Sequence, residues 1–171
     1  MNSPSQNPRV AIIGGGPSGL ALATELRAQG VTGVTILERE PMAGGVPRHC
    51  GHYPFGLREL HRPLRGPDYA RALVARAEAA GVEIRYGTTV TALHPGGRLS
   101  IVTEAGEDSL QAERVVLAMG VRESSRAQRF ISGTRPLGVV TTGALQAMVY
   151  LHQMRPFRRP VIIGTELVAF S

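Results

Sequence analysis

The stretch Val10-Ala-Ile-Ile-Gly14-Gly15-Gly16-Pro17-Ser18-Gly19 decides the fold, together with Val34-Thr-Ile-Leu-Glu38 downstream. A short apolar run ends in Gly-x-Gly-x-x-Gly. A helical pattern follows, with Leu20, Leu22, Ala23 and Leu26 on one face and Gly30 as its stop. A second apolar run then closes on an acidic residue. Uninterrupted apolar runs of this kind mark strands buried on both faces of a parallel sheet. The whole reads as a β-α-β dinucleotide grip in an α/β protein.

Each residue type in the loop has a physical reason. Gly14 allows the tight turn from strand to helix, Gly16 lets the backbone approach a pyrophosphate, and Gly19 removes a side chain where helix and strand pack closely. Pro17 suits the first helical turn, because the N–H it lacks has no partner there. Ser18 shares that turn, whose unpaired amides and positive dipole end receive phosphates. Glu38 is placed to accept hydrogen bonds from ribose hydroxyls, and its charge repels a 2′-phosphate. The grip by itself admits either FAD or NAD.

Residues 38–67 differ in character, with Gly44-Gly45, several prolines, His49, His52 and His61, and little periodicity. So long a stretch without regular structure points to binding. A helix is expected from Asp68, as a cap, through Tyr69, Leu73, Val74 and Ala77 to Gly81, then a parallel strand over 82–86. Short runs at 88–93, 99–104 and 109–112, separated by Pro95-Gly-Gly and Gly106-Glu-Asp, predict a small antiparallel meander. Residues 115–119 read as a strand ending at Gly120, residues 142–153 as a helix, and residues 161–164 as a further strand.

Composition narrows the function classes. At 171 residues the chain is long enough for one domain with a real core. The net charge of +6 comes from 19 basic and 13 acidic residues, and every basic residue is arginine. These arginines are dispersed, without a basic tract or interleaved aromatics. That argues against nucleic acid as a partner and favours small anionic groups. The single cysteine, Cys50, excludes an intrachain disulfide, a CxxC pair and a cysteine zinc cluster, and no metal site is expected. Residues 1–8 are polar and lack the order of a signal peptide. No apolar run approaches the ~20 residues needed to span a membrane, so a cytoplasmic protein is expected.

Glu38-Arg39 with Gly44-Gly45 downstream, Thr88-Thr-Val90-Thr before the meander, and Leu117-Ala118-Met119-Gly120 carry a resemblance. The chain resembles, over roughly residues 8–164, the amino-terminal part of the pyridine nucleotide-disulfide oxidoreductase-like family of two-dinucleotide-domain flavoproteins. Met119 stands where that family's alanine-threonine-glycine turn has threonine. The resemblance implies a Rossmann-like FAD-binding domain with a parallel sheet and a small antiparallel meander, incomplete at the C-terminus. It implies FAD as cofactor, held at Gly14, Gly16, Pro17, Ser18, Gly19, Glu38, Arg39, Gly45, Arg48, Val90, Ala118 and Gly120.

More narrowly, Gly45-Val-Pro-Arg48-His49-Cys50-Gly-His52-Tyr-Pro-Phe-Gly56 resembles a branch of FAD-dependent dehydrogenases or oxidases lacking the redox disulfide. In the family this segment passes close to the flavin. With no cysteine pair, thiol relay is excluded and electrons pass directly between substrate, flavin and acceptor. His49 and His52 are the candidates for a catalytic base, since imidazole titrates near neutrality; polar lining is the alternative for both. Arg48 contacts the cofactor or forms a surface ion pair. Cys50 is a nucleophile candidate or a small buried residue.

The last apolar run departs from the family. In Val161-Ile-Ile-Gly164-Thr165-Glu166-Leu167-Val168 only the first glycine of a second grip is present, and Glu166 would repel a pyrophosphate. This counts against NAD(P)H and favours a protein, quinone or oxygen as electron acceptor. The expected organisation is a flexible stretch at 1–8, the FAD-binding part at 9–120, a connection and helix at 121–158, and the start of a truncated second domain at 159–171. The expected function is the FAD-binding portion of an oxidoreductase acting on a small amine or hydroxy acid. On this reading the isolated chain is inactive, or is completed by a partner subunit or a carboxy-terminal segment. The alternatives are a non-catalytic nucleotide-binding or assembly subunit and a fragment of an NAD(P)-dependent reductase.

Overall fold

The computed structural model describes residues 7–134 and 136–165. In chain order the elements are β1 (Val10–Ile13), α1 (Pro17–Ala28), β2 (Val34–Leu37), α2 (Gly66–Ala79), β3 (Glu83–Arg85), β4 (Thr89–Leu93), β5 (Arg98–Thr103), β6 (Gly106–Gln111), β7 (Arg114–Leu117) and α3 (Thr142–Tyr150). They divide into two compact units, one within residues 1–45 and 70–120, the other within 46–69 and 121–171.

The first unit holds a four-stranded sheet in the order β3-β2-β1-β7. Its pairings are all parallel, with Val10 opposite Val34 and Arg114. Because alternate residues point to opposite faces of a strand, β1 serves two layers. Ala11 and Ile13 join Leu37 and the meander residues Leu99, Ile101, Leu110 and Ala112 in one buried cluster. Ile12 points to the opposite face, towards Gly19, and is fully buried like Ile36, Leu20 and Ala23. α1 packs on β1 and β2. The meander is antiparallel, in the order β4-β5-β6.

Both helices of this unit stop by the same device. At the end of α1, Gly30 N–H donates to the Arg27 carbonyl (3.0 Å) and Val31 N–H to that of Leu26 (2.9 Å). At the end of α2, Gly81 donates to Glu78 (2.9 Å) and Val82 to Ala77 (3.0 Å). These paired bonds form a Schellman motif, which needs a left-handed residue at its turn; Gly30 has φ +81 and Gly81 φ +73. Arg27 joins the two ends, its Nε donating to the Ala80 carbonyl (3.0 Å) and its Nη1 to that of Val31 (3.1 Å).

The second unit is built on a 3-10 turn over Val46–His49, an antiparallel bridge between Phe55 and Leu64, and α3. The side chain of Thr141 caps α3 by accepting from Ala144 N–H (3.3 Å), and the Glu123 carboxylate accepts from the amides of Thr142 (3.2 Å) and Gly143 (2.6 Å). The stretch expected to lack regular structure is therefore pinned by local contacts.

Several expected boundaries shift. α2 begins at Gly66, and Asp68 lies in its first turn rather than at its cap. The cause is the Arg65 carbonyl, which accepts from Tyr69 N–H (2.9 Å) and so starts the helix earlier. Asp68 then places its charge where the helix dipole is positive. β6 begins at Gly106 and pairs Glu107 with Val102 and Asp108 with Ile101. An edge strand with one face in solvent accommodates those charges. α3 ends at Tyr150. Residues 161–165 form no strand, contrary to the expectation for 161–164, and no ladder partner for them exists among the described residues. Glu166, Leu167 and Val168 lie outside the described residues.

Leu99 is fully buried in the cluster joining sheet and meander. Leu99→Ala is expected to destabilise the protein by roughly 2–5 kcal/mol, read as a fall in the midpoint of urea unfolding.

Candidate functional site

The turn from β1 to α1 is shaped by what surrounds each glycine. Gly14 has φ +109, and a Cβ there would lie 2.5 Å from the Ala118 carbonyl oxygen. Its N–H donates to the Leu37 carbonyl (2.9 Å), while Ala118 N–H donates to that of Ile13 (2.9 Å). A Cβ on Gly19 would run into the Gly14 carbonyl oxygen. Both positions are therefore glycine because protein backbone occupies the space.

Gly16 is different. Its φ of −77 and ψ of −177 are open to any residue, and a Cβ there would meet only the Gly45 Cα, at 3.9 Å. Nothing within the described protein requires glycine at this position. Gly16 is also the N-cap of α1, which has no side-chain cap, no acidic residue in its first turn and Pro17 at its start. The amides of such a turn have no intrahelical acceptor and lie at the positive end of the dipole. Ser18, in the same turn, is exposed.

Glu38, immediately after β2, is only 7% exposed. Its Oε2 accepts from Gly15 N–H (2.8 Å) and its Oε1 from Glu40 N–H (2.9 Å). Its own carbonyl accepts from Thr88 N–H (2.9 Å). A carboxylate has about four acceptor positions, so each oxygen keeps a lone pair beyond its backbone bond. Gly44 N–H donates to the Gly15 carbonyl (2.7 Å). A Cβ on Gly45, at φ +60, would come within 2.9 Å of the Gly16 Cα. The structure thus brings Gly14, Gly16, Pro17, Ser18, Gly19, Glu38, Gly45 and Ala118 together around one turn.

The other expected site residues of the first unit differ in their surroundings. Arg39 is exposed, with its Nε 3.3 Å from Glu40 Oε1. Val90 packs its side chain against the core between sheet and meander. Gly120 is exposed at φ +68. Sequence reasoning missed Gly15, an unassigned position of the motif: a Cβ there would lie 2.9 Å from Glu38 Oε2. The unbroken run Gly14-Gly15-Gly16 was its only signal.

Arg48, His49, Cys50 and His52 belong to the second unit. The Nδ1 atoms of His49 and His52 are buried without a hydrogen-bond partner among the described residues. The His52 ring lies 5.2 Å from that of Phe55, which stacks on Tyr69 at 5.7 Å. Burial, and then the Arg48 charge, hold His49 below its ordinary pKa of 6.5. Burial pushes the Cys50 thiol up, and its Sγ lies 3.4 Å from the Val46 carbonyl. A protonated, buried thiol is a poor nucleophile, which favours the packing role for Cys50.

Residues 7–54 match the FAD binding domain family, and residues 53–153 match the FAD dependent oxidoreductase family. The chain belongs to the FAD-dependent oxidoreductases. FAD is accordingly its cofactor, and the Rossmann-like fold expected from the sequence is the one observed. Hydrogen cyanide synthase subunit HcnB of Pseudomonas protegens is 32% identical over 94% of this chain and 34% of its own length. Indole-3-pyruvate monooxygenase YUCCA1 of Oryza sativa is 33% identical over 75% of this chain and 37% of that protein. The structure of L-proline dehydrogenase from P. horikoshii superposes with a TM-score of 0.58 at 28% identity, covering 69% of this chain and 23% of that one. This FAD-dependent oxidoreductase chain spans about a third of the length of the curated relatives it matches. Among its described residues no helix is long and apolar enough to cross a membrane.

The lowered pKa of His49 makes stability depend on pH. Below pH 6.5 the unfolded chain binds a proton that folded His49 resists, so stability falls as pH drops from 6.5 towards the folded pKa. His49→Gln is expected to flatten this part of the curve, measured as thermal midpoint against pH.

Proposed function

We propose that this chain is the FAD-gripping portion of a dehydrogenase or oxidase acting on a small amine or hydroxy acid, with electrons passing directly between substrate, flavin and acceptor. The observation that carries the reading is Gly16. The protein leaves its Cβ position open, at the mouth of an uncapped helix. An approaching pyrophosphate explains that glycine, and the first-turn amides of α1 supply its donors. The remaining lone pairs of Glu38 suit the ribose hydroxyls of the adenosine half, and its charge repels a 2′-phosphate.

The other roles follow the same division. Pro17 and Ser18 shape the first turn, and Gly45 forms the adjoining wall. Arg39, Val90, Ala118 and Gly120 are the further cofactor-contacting candidates in the first unit, and Arg48 is the candidate in the second. Bound FAD supplies a two-electron acceptor for the substrate's C–H hydride. His49 and His52 are the candidates to take the accompanying N–H or O–H proton. A neutral imidazole has the lone pair that this step requires, and the lowered pKa of His49 keeps it neutral at pH 7.

Cys50 is the only cysteine, which leaves no disulfide relay. The likeness to L-proline dehydrogenase from P. horikoshii supports an amine substrate, and the likeness to a synthase subunit supports completion by a partner. The proposal includes a cytoplasmic location and a protein, quinone or oxygen as acceptor. A further segment or partner subunit completes the flavin site.

Two substitutions separate cofactor contact from fold. Gly16→Ala is expected to leave the thermal midpoint of the FAD-free protein unchanged while weakening FAD binding at least tenfold, measured by flavin fluorescence titration. Gly19→Ala is expected to lower that midpoint as well, because its Cβ meets backbone. Equal FAD affinity in Gly16→Ala and the parent would sink the assignment.

The substrate reading has its own test. The protein, expressed with its natural partners, is expected to release FAD on denaturation. Its flavin band should bleach anaerobically with L-proline or a small hydroxy acid. Release of NAD, or bleaching by NADH alone, would replace it with the reductase reading.

A further inference from the structure

The segment carrying Arg48, His49 and His52 is gripped at two glycines from sequence-distant helices. At the first turn of α2, a Cβ on Gly66 would strike the carbonyl oxygens of Pro47 and Cys50, and Gly66 N–H donates to Cys50 (3.0 Å). At the last residue of α3, the Tyr150 ring fills the place where Gly51 lacks a side chain: Oη, Cζ and Cε1 all fall where a Cβ would stand. α3 also packs on the 3-10 turn Val46–His49. That helix is fixed at its other end by Thr141 and Glu123. The peptide between His49 and His52 is thus held between the start of α2 and the end of α3.

We propose that Tyr150 is a positioning residue, whose ring seated on Gly51 holds the two histidines in the orientation in which they meet substrate. The proposal rests on the reading of His49 and His52 as the substrate-facing pair. Its physical basis is close packing on one side: the Tyr150 ring, 42% exposed on its outer side, closes directly on the Gly51 backbone, where no Cβ keeps the two apart. An imidazole nitrogen buried without a partner carries an unrecovered desolvation cost and stays buried only where its surroundings prevent it from turning to water. Tyr150 supplies that restraint on the α3 side. It needs no contact with substrate to do so.

The test is the titration of the His49 ring, followed by NMR in the full chain. Tyr150→Phe keeps the ring and is expected to titrate as the parent does. Tyr150→Ala is expected to move the His49 pKa upwards towards 6.5, as water reaches the imidazole. Gly51→Ala is expected to do the same, because its Cβ expels the Tyr150 ring. In the Tyr150→Ala background, Gly51→Ala should have little further effect, since the space is then vacant; contacting residues show such non-additivity.

Should Tyr150→Ala fail to fold, Tyr150→Leu takes its place, with circular dichroism confirming the helices. A His49 titration in Tyr150→Ala or Tyr150→Leu that coincides with the parent's overturns the proposal. So does full additivity of the two substitutions. Flavin content is read in parallel. A parent without flavin would count against the FAD grip, while the titration still reports on Tyr150.

Discussion

The first unit depends on the crossing of backbone by backbone at the turn from β1 to α1. The Ala118 carbonyl at the end of β7 occupies the space a Gly14 side chain would need, and the Gly14 carbonyl occupies that of Gly19. These approaches let α1 lie close on the sheet while β7 pairs with β1 to its last residue. Leu37 and Ile13 accept from the amides of Gly14 and Ala118, so three strand ends are joined at one point. A methyl group at either glycine would separate them. The apolar layers on both faces, Ile12 with Leu20 and Ile13 with the meander, presuppose this closure.

Glu38 shows how a charge is accommodated at such a junction. Burying a carboxylate is costly unless it is hydrogen-bonded, and here the amides of Gly15 and Glu40 each supply a bond. The same contacts fix the loop between β2 and the Gly44-Gly45 pair, which itself bonds back to Gly15. The acidic residue therefore has a structural part that its usual association with ribose does not convey.

In the second unit glycine has a different use. Gly51 and Gly66 are sockets, one for an aromatic ring and one for two carbonyl groups. The stretch around them has no periodic pattern because its packing is made one contact at a time. Periodicity reports repeated burial on one face, and a segment held by isolated contacts leaves no such trace. This is why residues 38–67 read as loop, and why the partnership of residues 51 and 150 left no sign in the sequence. The missing strand at 161–164 has the converse cause. Its apolar run satisfies strand patterning, but a parallel strand exists only beside a neighbour that accepts its hydrogen bonds.

The sequence by itself determined the grip, the alternation of strands and helices, the meander and the two glycine-terminated helices, because each is written in local spacing and turn chemistry. Family resemblance added FAD to that reading. Only the tertiary structure decided which glycines answer to protein backbone and which, like Gly16, face open space. It alone showed that Glu38 holds the loop beside it, and that Tyr150 reaches Gly51. The physical reason is that steric exclusion and burial are properties of neighbours in space. A sequence records the small residue, while the fold supplies whatever takes the place of its missing side chain.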